Sequence, residues 1–151
     1  MKNILIENRR ARFDYQILEN YEGGIMLTGK EVKSLKNKRG KLEGAYGFIS
    51  NNEAYLVNMY ISPYQPQNLM GETKPDRTRK LLLKRKEINY LIGKLNEKKL
   101  SLVPLRAYLK NNRIKIELGL ARGKSKRDKR ESIKKRETER ETRREVLGDK
   151  W

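Results

Sequence analysis

The sequence predicts a mainly β fold with flanking helices: six antiparallel strands in hairpins, closed or nearly closed into a small barrel, followed by a basic C-terminal tail. Three observations carry this expectation. Apolar residues alternate with polar ones in short runs, and two pairs of runs flank Asn51-Asn52 and Asn111-Asn112, which suit hairpin turns because Asn tolerates the left-handed region. Only one long stretch has a clear helical period, with Ile88, Leu91, Ile92 and Leu95 at i, i+3, i+4 and i+7. The apolar pattern then stops at a seam, residues 119–130, beyond which Ile133, Val146, Leu147 and Trp151 are the remaining large apolar side chains. A chain of 151 residues carries one core. The expected division is a body of residues 1–123 and a tail of residues 124–151.

In chain order, Phe13, Tyr15 and Ile17 alternate with Asp14 and Gln16, which predicts a first strand beginning near Arg12. Gly23-Gly24 suits a tight turn before Ile25. Val32 and Leu35 sit among lysines at helical spacing, so a short helix is expected from Thr28 to Lys36, and the polar residues 37–44 read as a loop. Strands follow at residues 45–50 and 53–61; their aromatics, Tyr46, Phe48, Tyr55 and Tyr60, suit a core, with Tyr46 beside Gly44 and Gly47 a candidate for exposure. Residues 62–80 hold Pro63, Pro66, Gly71 and Pro75 and form a long loop ending in Arg77, Arg79 and Lys80. After the helix, strands are expected at residues 100–109 and 113–121, and Pro104, which cannot donate to a ladder, marks an edge or bulge. Lys115 alternates with Ile114 and Ile116 and faces solvent or a ligand. Gly123 tolerates positive φ, so the last strand can end there and the chain can leave the body.

The totals narrow the function. Lys and Arg number 37 against 19 Asp and Glu, a formal charge of +18, far beyond what solubility needs, and a polyanionic partner is implied. From Lys124 onward there are 12 basic and 7 acidic residues, which leaves the body 25 basic and 12 acidic, a surplus of +13. The body is therefore basic in its own right. Without cysteine or histidine the chain lacks thiolate and imidazole metal ligands and the side chain best suited to proton transfer, so neither an enzyme, a metal site nor a cofactor is expected. No apolar run approaches membrane-spanning length, and a cytoplasmic protein is expected. The tail has helix-supporting pairs such as Glu131 with Lys135, but no apolar stripe. It is expected to be disordered when free and helical once a polyanion neutralises it.

Four separated motifs carry a resemblance: Asn8-Arg9-Arg10-Ala11-Arg12, Gly29-Lys30-Glu31-Val32-Lys33-Ser34-Leu35, Arg77-Thr78-Arg79-Lys80-Leu81-Leu82-Leu83, and Gly119-Leu120-Ala121-Arg122-Gly123-Lys124 followed by Asp128-Lys129-Arg130. Their order and spacing resemble the SmpB family of bacterial SsrA-binding proteins, essentially from end to end. The resemblance implies an oligonucleotide-binding (OB) type barrel that holds the tRNA-like domain of transfer-messenger RNA. It also implies trans-translation, in which the complex enters a stalled ribosome and the nascent peptide is tagged for degradation. The implied partners are that RNA, the decoding centre and mRNA channel of the small subunit, and elongation factor Tu and alanyl-tRNA synthetase through the shared RNA, with the protein itself a monomer. The family's RNA-binding positions fall on Asn8, Arg9, Arg10, Glu22, Tyr46, Leu82, Lys84, Lys115, Arg122, Gly123 and Lys124, and its ribosome-contacting tail positions on Arg127, Asp128, Lys129 and Arg130. Two residues depart from the family pattern. Lys84 stands where an Asn follows the Leu-Leu-Leu run, replacing a base-reading amide with a phosphate contact, and Arg127 stands where an aromatic or His precedes Asp128.

Other classes fit the same composition. A general ribosomal or RNA-binding barrel differs in lacking preference for a tRNA-like elbow. An RNA-processing enzyme would need its acids gathered, whereas Asp14, Glu22, Asp76 and Asp128 are scattered. A membrane-surface tail would need a broad apolar face.

Overall fold

Two eleven-residue strands, β2 (Tyr15–Ile25) and β9 (Arg113–Gly123), pair along nearly their whole length and form the spine of the structure, a computed structural model that describes residues 3–64, 74–97, 100–124 and Arg130. The other elements are β1 (Asn3–Glu7), α1 (Ala11–Asp14), α2 (Gly29–Lys36), β3 (Gly40–Lys41), β4 (Tyr46–Ser50), β5 (Glu53–Val57), β6 (Tyr60–Ile61), β7 (Arg79–Leu82), α3 (Arg85–Leu95) and β8 (Leu100–Lys110). Pairing runs β1-β8-β4-β5-β7-β2-β9, and β8 also pairs with β9. Six strands, β8, β4, β5, β7, β2 and β9, thus return on themselves in an antiparallel ring, with β1 attached to β8 outside it. β3 and β6 form a separate two-stranded ribbon.

The core follows from the alternation. Leu56, Leu81, Leu102, Ile116, Leu118 and Leu120 point inward from the ring, and Leu35 of α2 and Ile88 and Leu91 of α3 pack into the same cluster. Each such side chain contributes about 1.5–3 kcal/mol of burial. A second, smaller cluster of Ala11, Val103, Leu105 and Ala121 sits under α1. Both Asn pairs make the expected turns, with φ of 51° and 61° at Asn51 and Asn52 and of 51° and 65° at Asn111 and Asn112, the double positive φ that a type I′ hairpin demands. Pro104 lies at a register shift between β8 and β9, the expected bulge.

Several expectations are corrected. The strand expected from Arg12 begins at Tyr15, because Ala11–Asp14 form a helical turn, and Asn3–Glu7, for which no element is expected, form a strand of their own, β1. Gly23-Gly24 is not a turn. It lies inside β2, where a Cβ on Gly23 would come within 2.6 Å of Leu83 Cδ2 and 3.3 Å of the Leu82 carbonyl oxygen, so the pair exists for close approach to β7. The polar residues 37–44 contain β3, and the run 53–61 breaks at Asn58, whose φ is 65°. Gly123 does not use its conformational freedom. It is paired with Tyr15 at the end of β9, and Gly44 is the one glycine with positive φ among the described residues.

Two motifs of the sequence meet in the interior. Thr28 caps α2: its Oγ1 accepts from the Glu31 amide at 3.2 Å, and Glu31 Oε1 accepts from the Thr28 amide at 2.9 Å, the reciprocal capping box. The same Glu31 carboxylate accepts from Arg77 Nη2 at 2.6 Å and from Arg79 Nε at 2.7 Å. Arg79 is fully buried and donates further to the carbonyls of Met59 and Pro75. The basic end of the long loop is thus half internal: Arg79 is buried and anchors the loop's return, Arg77 and Lys80 on either side of it are half-buried, and Thr78 and Leu82 are exposed.

Candidate nucleic-acid interface

Because β2 and β9 are long and antiparallel, the residues nominated by the resemblance are distributed to the two ends of one ribbon. Lys115 and Arg122 lie seven residues apart on β9, roughly 23 Å at about 3.3 Å per residue.

At one end, Gly24 pairs with Leu82 of β7 on one side and Lys115 of β9 on the other, which places these side chains in a single row on the outer face. Glu22 is two residues away on the same face of β2. Leu82 is 53% exposed, an apolar side chain in water beside a cation and an anion. Glu22 stands directly opposite Glu117, a like-charge pair that a ladder tolerates poorly unless each has its own partner. Glu117 pairs with Arg106 Nε at 3.2 Å and accepts from Asn20 Nδ2 at 2.8 Å. Glu22 reaches across β9 to β8, where it accepts a short hydrogen bond from the Tyr108 hydroxyl and one from Lys110 Nζ at 3.1 Å. Burial, and then the bond to the Glu22 carboxylate, push the Tyr108 hydroxyl well above its ordinary pKa and keep it a donor.

At the other end, Asn8, Arg10, Tyr15, Glu43, Tyr46 and Ser101 line a cleft of about 430 Å³, within the range of small-ligand pockets. Tyr46 is 48% exposed and offers a ring face, whereas Phe48 and Tyr55 stack on each other at 5.3 Å across β4 and β5. Asn8 is nearly buried and fixed: its amide donates to Leu105 and its side-chain nitrogen to Pro104, each through the carbonyl oxygen. It forms cleft wall rather than a projecting contact. Arg10 bridges Asp14 at 3.4 Å and lies over the Phe13 ring at 5.5 Å, so two neighbours hold its guanidinium at the rim. Arg9 lines a neighbouring groove with Lys38 and Lys41, two cations that no motif of the sequence singled out. Arg122 and Gly123 are exposed beside the cleft, and Lys124 donates from its amide to Asp14 and from Nζ to Arg12. Of the tail positions, Arg130 is described and exposed, while Arg127, Asp128 and Lys129 lie outside the described residues.

Lys84 occupies the N-cap of α3, with φ −67° and ψ 144°, and makes no side-chain cap hydrogen bond. Lys84, Arg85 and Lys86 place three cations at the positive end of the helix dipole, against the electrostatic preference of that position. Lys84→Asn should therefore stabilise the protein by about 1 kcal/mol through a restored cap. Loss of the phosphate contact expected of Lys84 from the resemblance would at the same time weaken RNA binding and reduce the salt slope by about 0.7–0.9. Parallel denaturation and titration of the variant read both effects.

Among the described residues no group of three or more acids could hold a metal ion, and no helix is long and apolar enough to cross a membrane. Sequence reasoning missed Tyr108 and Lys110. Their signal was present: Arg106, Tyr108 and Lys110 recur at period two within an otherwise apolar strand, which marks an outward row.

A family model described as SmpB protein matches residues 5–147 of the chain. An SsrA-binding protein from Gloeothece citriformis is 51% identical over 141 residues, which cover 93% of this chain and 91% of the relative. One from Streptococcus mutans is 47% identical over 144 residues, 95% of this chain and 92% of the relative. A solved structure described as "tmRNA-SmpB: a journey to the center of the bacterial ribosome" contains a chain that matches with a TM-score of 0.68 at 45% identity, covering 85% of this chain and 93% of that one.

Proposed function

The chain belongs to the SmpB family, and from that premise we propose that it binds the tRNA-like domain of transfer-messenger RNA and carries it to stalled ribosomes for trans-translation. The observation that supports this reading at the level of residues is the division of the nominated positions between the two ends of the β2–β9 ribbon. A row of Glu22, Leu82 and Lys115 stands at one end, and a cleft with Arg10 and Tyr46 at the other. An RNA elbow presents unstacked bases together with phosphates brought close by the fold, so its recognition needs cations for affinity and planar or acceptor groups for register. Arg9, Arg10, Arg122, Lys115 and Lys84 serve the first need, and Tyr46, Leu82 and Glu22 the second, with Asn8 holding the cleft wall and Gly123 and Lys124 marking the exit to the tail.

The reading extends to a monomeric, non-catalytic cytoplasmic protein whose tail, through Arg127, Asp128, Lys129 and Arg130, engages the decoding centre and the mRNA channel. It meets elongation factor Tu and alanyl-tRNA synthetase through the shared RNA. Replacing Arg9 and Arg10 with Ala tests the body surface. The dependence of log affinity on log salt should become shallower by about 1.5, two phosphate contacts at about 0.7–0.9 each. An unchanged slope would remove this cluster from the interface. Equal affinity of the unaltered protein for the tRNA-like domain and for an unstructured RNA of the same length would instead favour a general RNA-binding barrel.

A further inference from the structure

A carboxylate facing a polyanion is repelled by phosphates, so Glu22, the one acid among the nominated body positions, helps binding only if it accepts hydrogen bonds from RNA donors, the ribose 2′-hydroxyls or the amino and imino hydrogens of bases, and of these the base hydrogens alone carry sequence. It must also be held where those hydrogens arrive. We infer that Tyr108 is a positioning residue for RNA recognition, its hydroxyl, with Lys110 beside it, fixing the Glu22 carboxylate as a base-reading acceptor. This rests on the reading of Glu22 as an RNA contact.

The geometry supports it in three ways. Tyr108 has no exposed surface, so its hydroxyl cannot itself meet RNA, yet it is aimed outward at a side chain that is 34% exposed. Its ring is fixed in the ladder opposite Lys115, itself a nominated contact, so the donor cannot drift. And Glu22, which lies on β2, reaches across β9 to partners on β8, so its carboxylate is held from a strand two away in the ladder. A carboxylate has about four lone-pair sites, so these partners on β8 do not exhaust its capacity to accept from a base. Lys110 has a second effect, since its charge beside Glu22 offsets the repulsion between the carboxylate and approaching phosphates.

Tyr108→Phe removes one hydroxyl and keeps the ring. Affinity for the tRNA-like domain of transfer-messenger RNA should fall about tenfold, while affinity for an unstructured RNA of equal length changes less than twofold and the salt slope is unchanged, because no phosphate contact is lost. In a Glu22→Ala background, where no acceptor remains to be positioned, the same substitution should have no further effect on discrimination. A parallel fall for both RNAs would overturn the proposal by making Tyr108 merely structural, and so would intact discrimination in the variant. If Tyr108→Phe does not fold, Lys110→Met, at an exposed position on the same carboxylate, takes its place: preserved discrimination overturns the proposal and reduced discrimination supports it. Failure of the parent reading looks different, since the unaltered protein would then show no preference for the tRNA-like domain at all.

Discussion

Replacing Glu31 with Gln should destabilise the protein by about 3–5 kcal/mol, the cost of leaving a buried cation without its anion. That is a large share of the roughly 5–15 kcal/mol available to a domain of this kind. Arg79 is 0% exposed, and its guanidinium binds Glu31 Oε2 through Nε at 2.7 Å and through Nη2 at 2.6 Å. The amide of Gln has the shape of the carboxylate but no charge, and it would turn a donor toward donors. Arg79→Met, which removes the cation and keeps an unbranched apolar stem, should cost less than Glu31→Gln, and the double variant should cost less than the sum of the two. The pH dependence has a definite sign. Burial pushes the Glu31 carboxyl up, but hydrogen bonds from Arg77, the Thr28 amide and Arg79 together outweigh it and hold the pKa below the ordinary 4.5. A depressed folded pKa contributes stability that is present above the unfolded value and lost as pH falls through the folded one. The melting midpoint of the unaltered protein should therefore hold above about pH 5 and drop below the carboxylate range, with a smaller drop in Glu31→Gln. A destabilisation under about 1 kcal/mol in denaturant would mean that Arg79 finds its partners without Glu31.

How much of this was legible follows from which contacts are local. The Asn pairs announced both hairpins because a two-residue turn is decided by the residues in it, and α3 announced itself by a period complete within one stretch. Thr28 and Glu31 also carried a local signal, the Thr-x-x-Glu spacing of a capping box, which places Glu31 in the first turn of α2. Nothing local could join Glu31 to Arg79, 48 positions on, and without that contact Arg79 resembles one more surface cation in a basic loop. The same limit explains Gly23-Gly24. A glycine pair signals either a turn or a close approach, and only the packing of Leu83 against β2 decides between them. Of the interface, the sequence supplied the residue types and the resemblance supplied the positions. The row of Glu22, Leu82 and Lys115 depends on the register among β7, β2 and β9, and the bracing of Glu22 by Tyr108 and Lys110 depends on a diagonal reach across a whole strand, neither of which any period in the sequence encodes.

Cutting the chain after Lys124 should separate binding from rescue. The seam expected at Gly123 is best taken one residue later, because the Lys124 amide donates to Asp14 and its Nζ to the Arg12 carbonyl, at 2.9 Å and 3.0 Å, and removing them would loosen α1 beside the cleft. Every buried core residue named in either cluster lies between Leu5 and Ala121, so the shortened protein should fold with a melting midpoint within a few degrees of the full chain. It also keeps the body's charge surplus and both ends of the β2–β9 ribbon, so its affinity for the tRNA-like domain should stay within about threefold of the full chain, or about 0.65 kcal/mol. Tagging of nascent peptides on ribosomes stalled at the end of an mRNA without a stop codon should nevertheless fall by at least about tenfold. The cut removes Asp128, Lys129 and Arg130 together with 11 of the 37 basic residues, the charges proposed to follow the empty mRNA channel. Gel shift and a reconstituted translation reaction measure the two activities on the same preparation. Undiminished tagging would make the tail dispensable, and a matching loss of RNA binding would mean that residues beyond Lys124 belong to the body. If binding survives and tagging fails, the positive charge of this chain has two separate roles, in which the ribbon selects the RNA and the tail senses whether the ribosome's mRNA channel is empty.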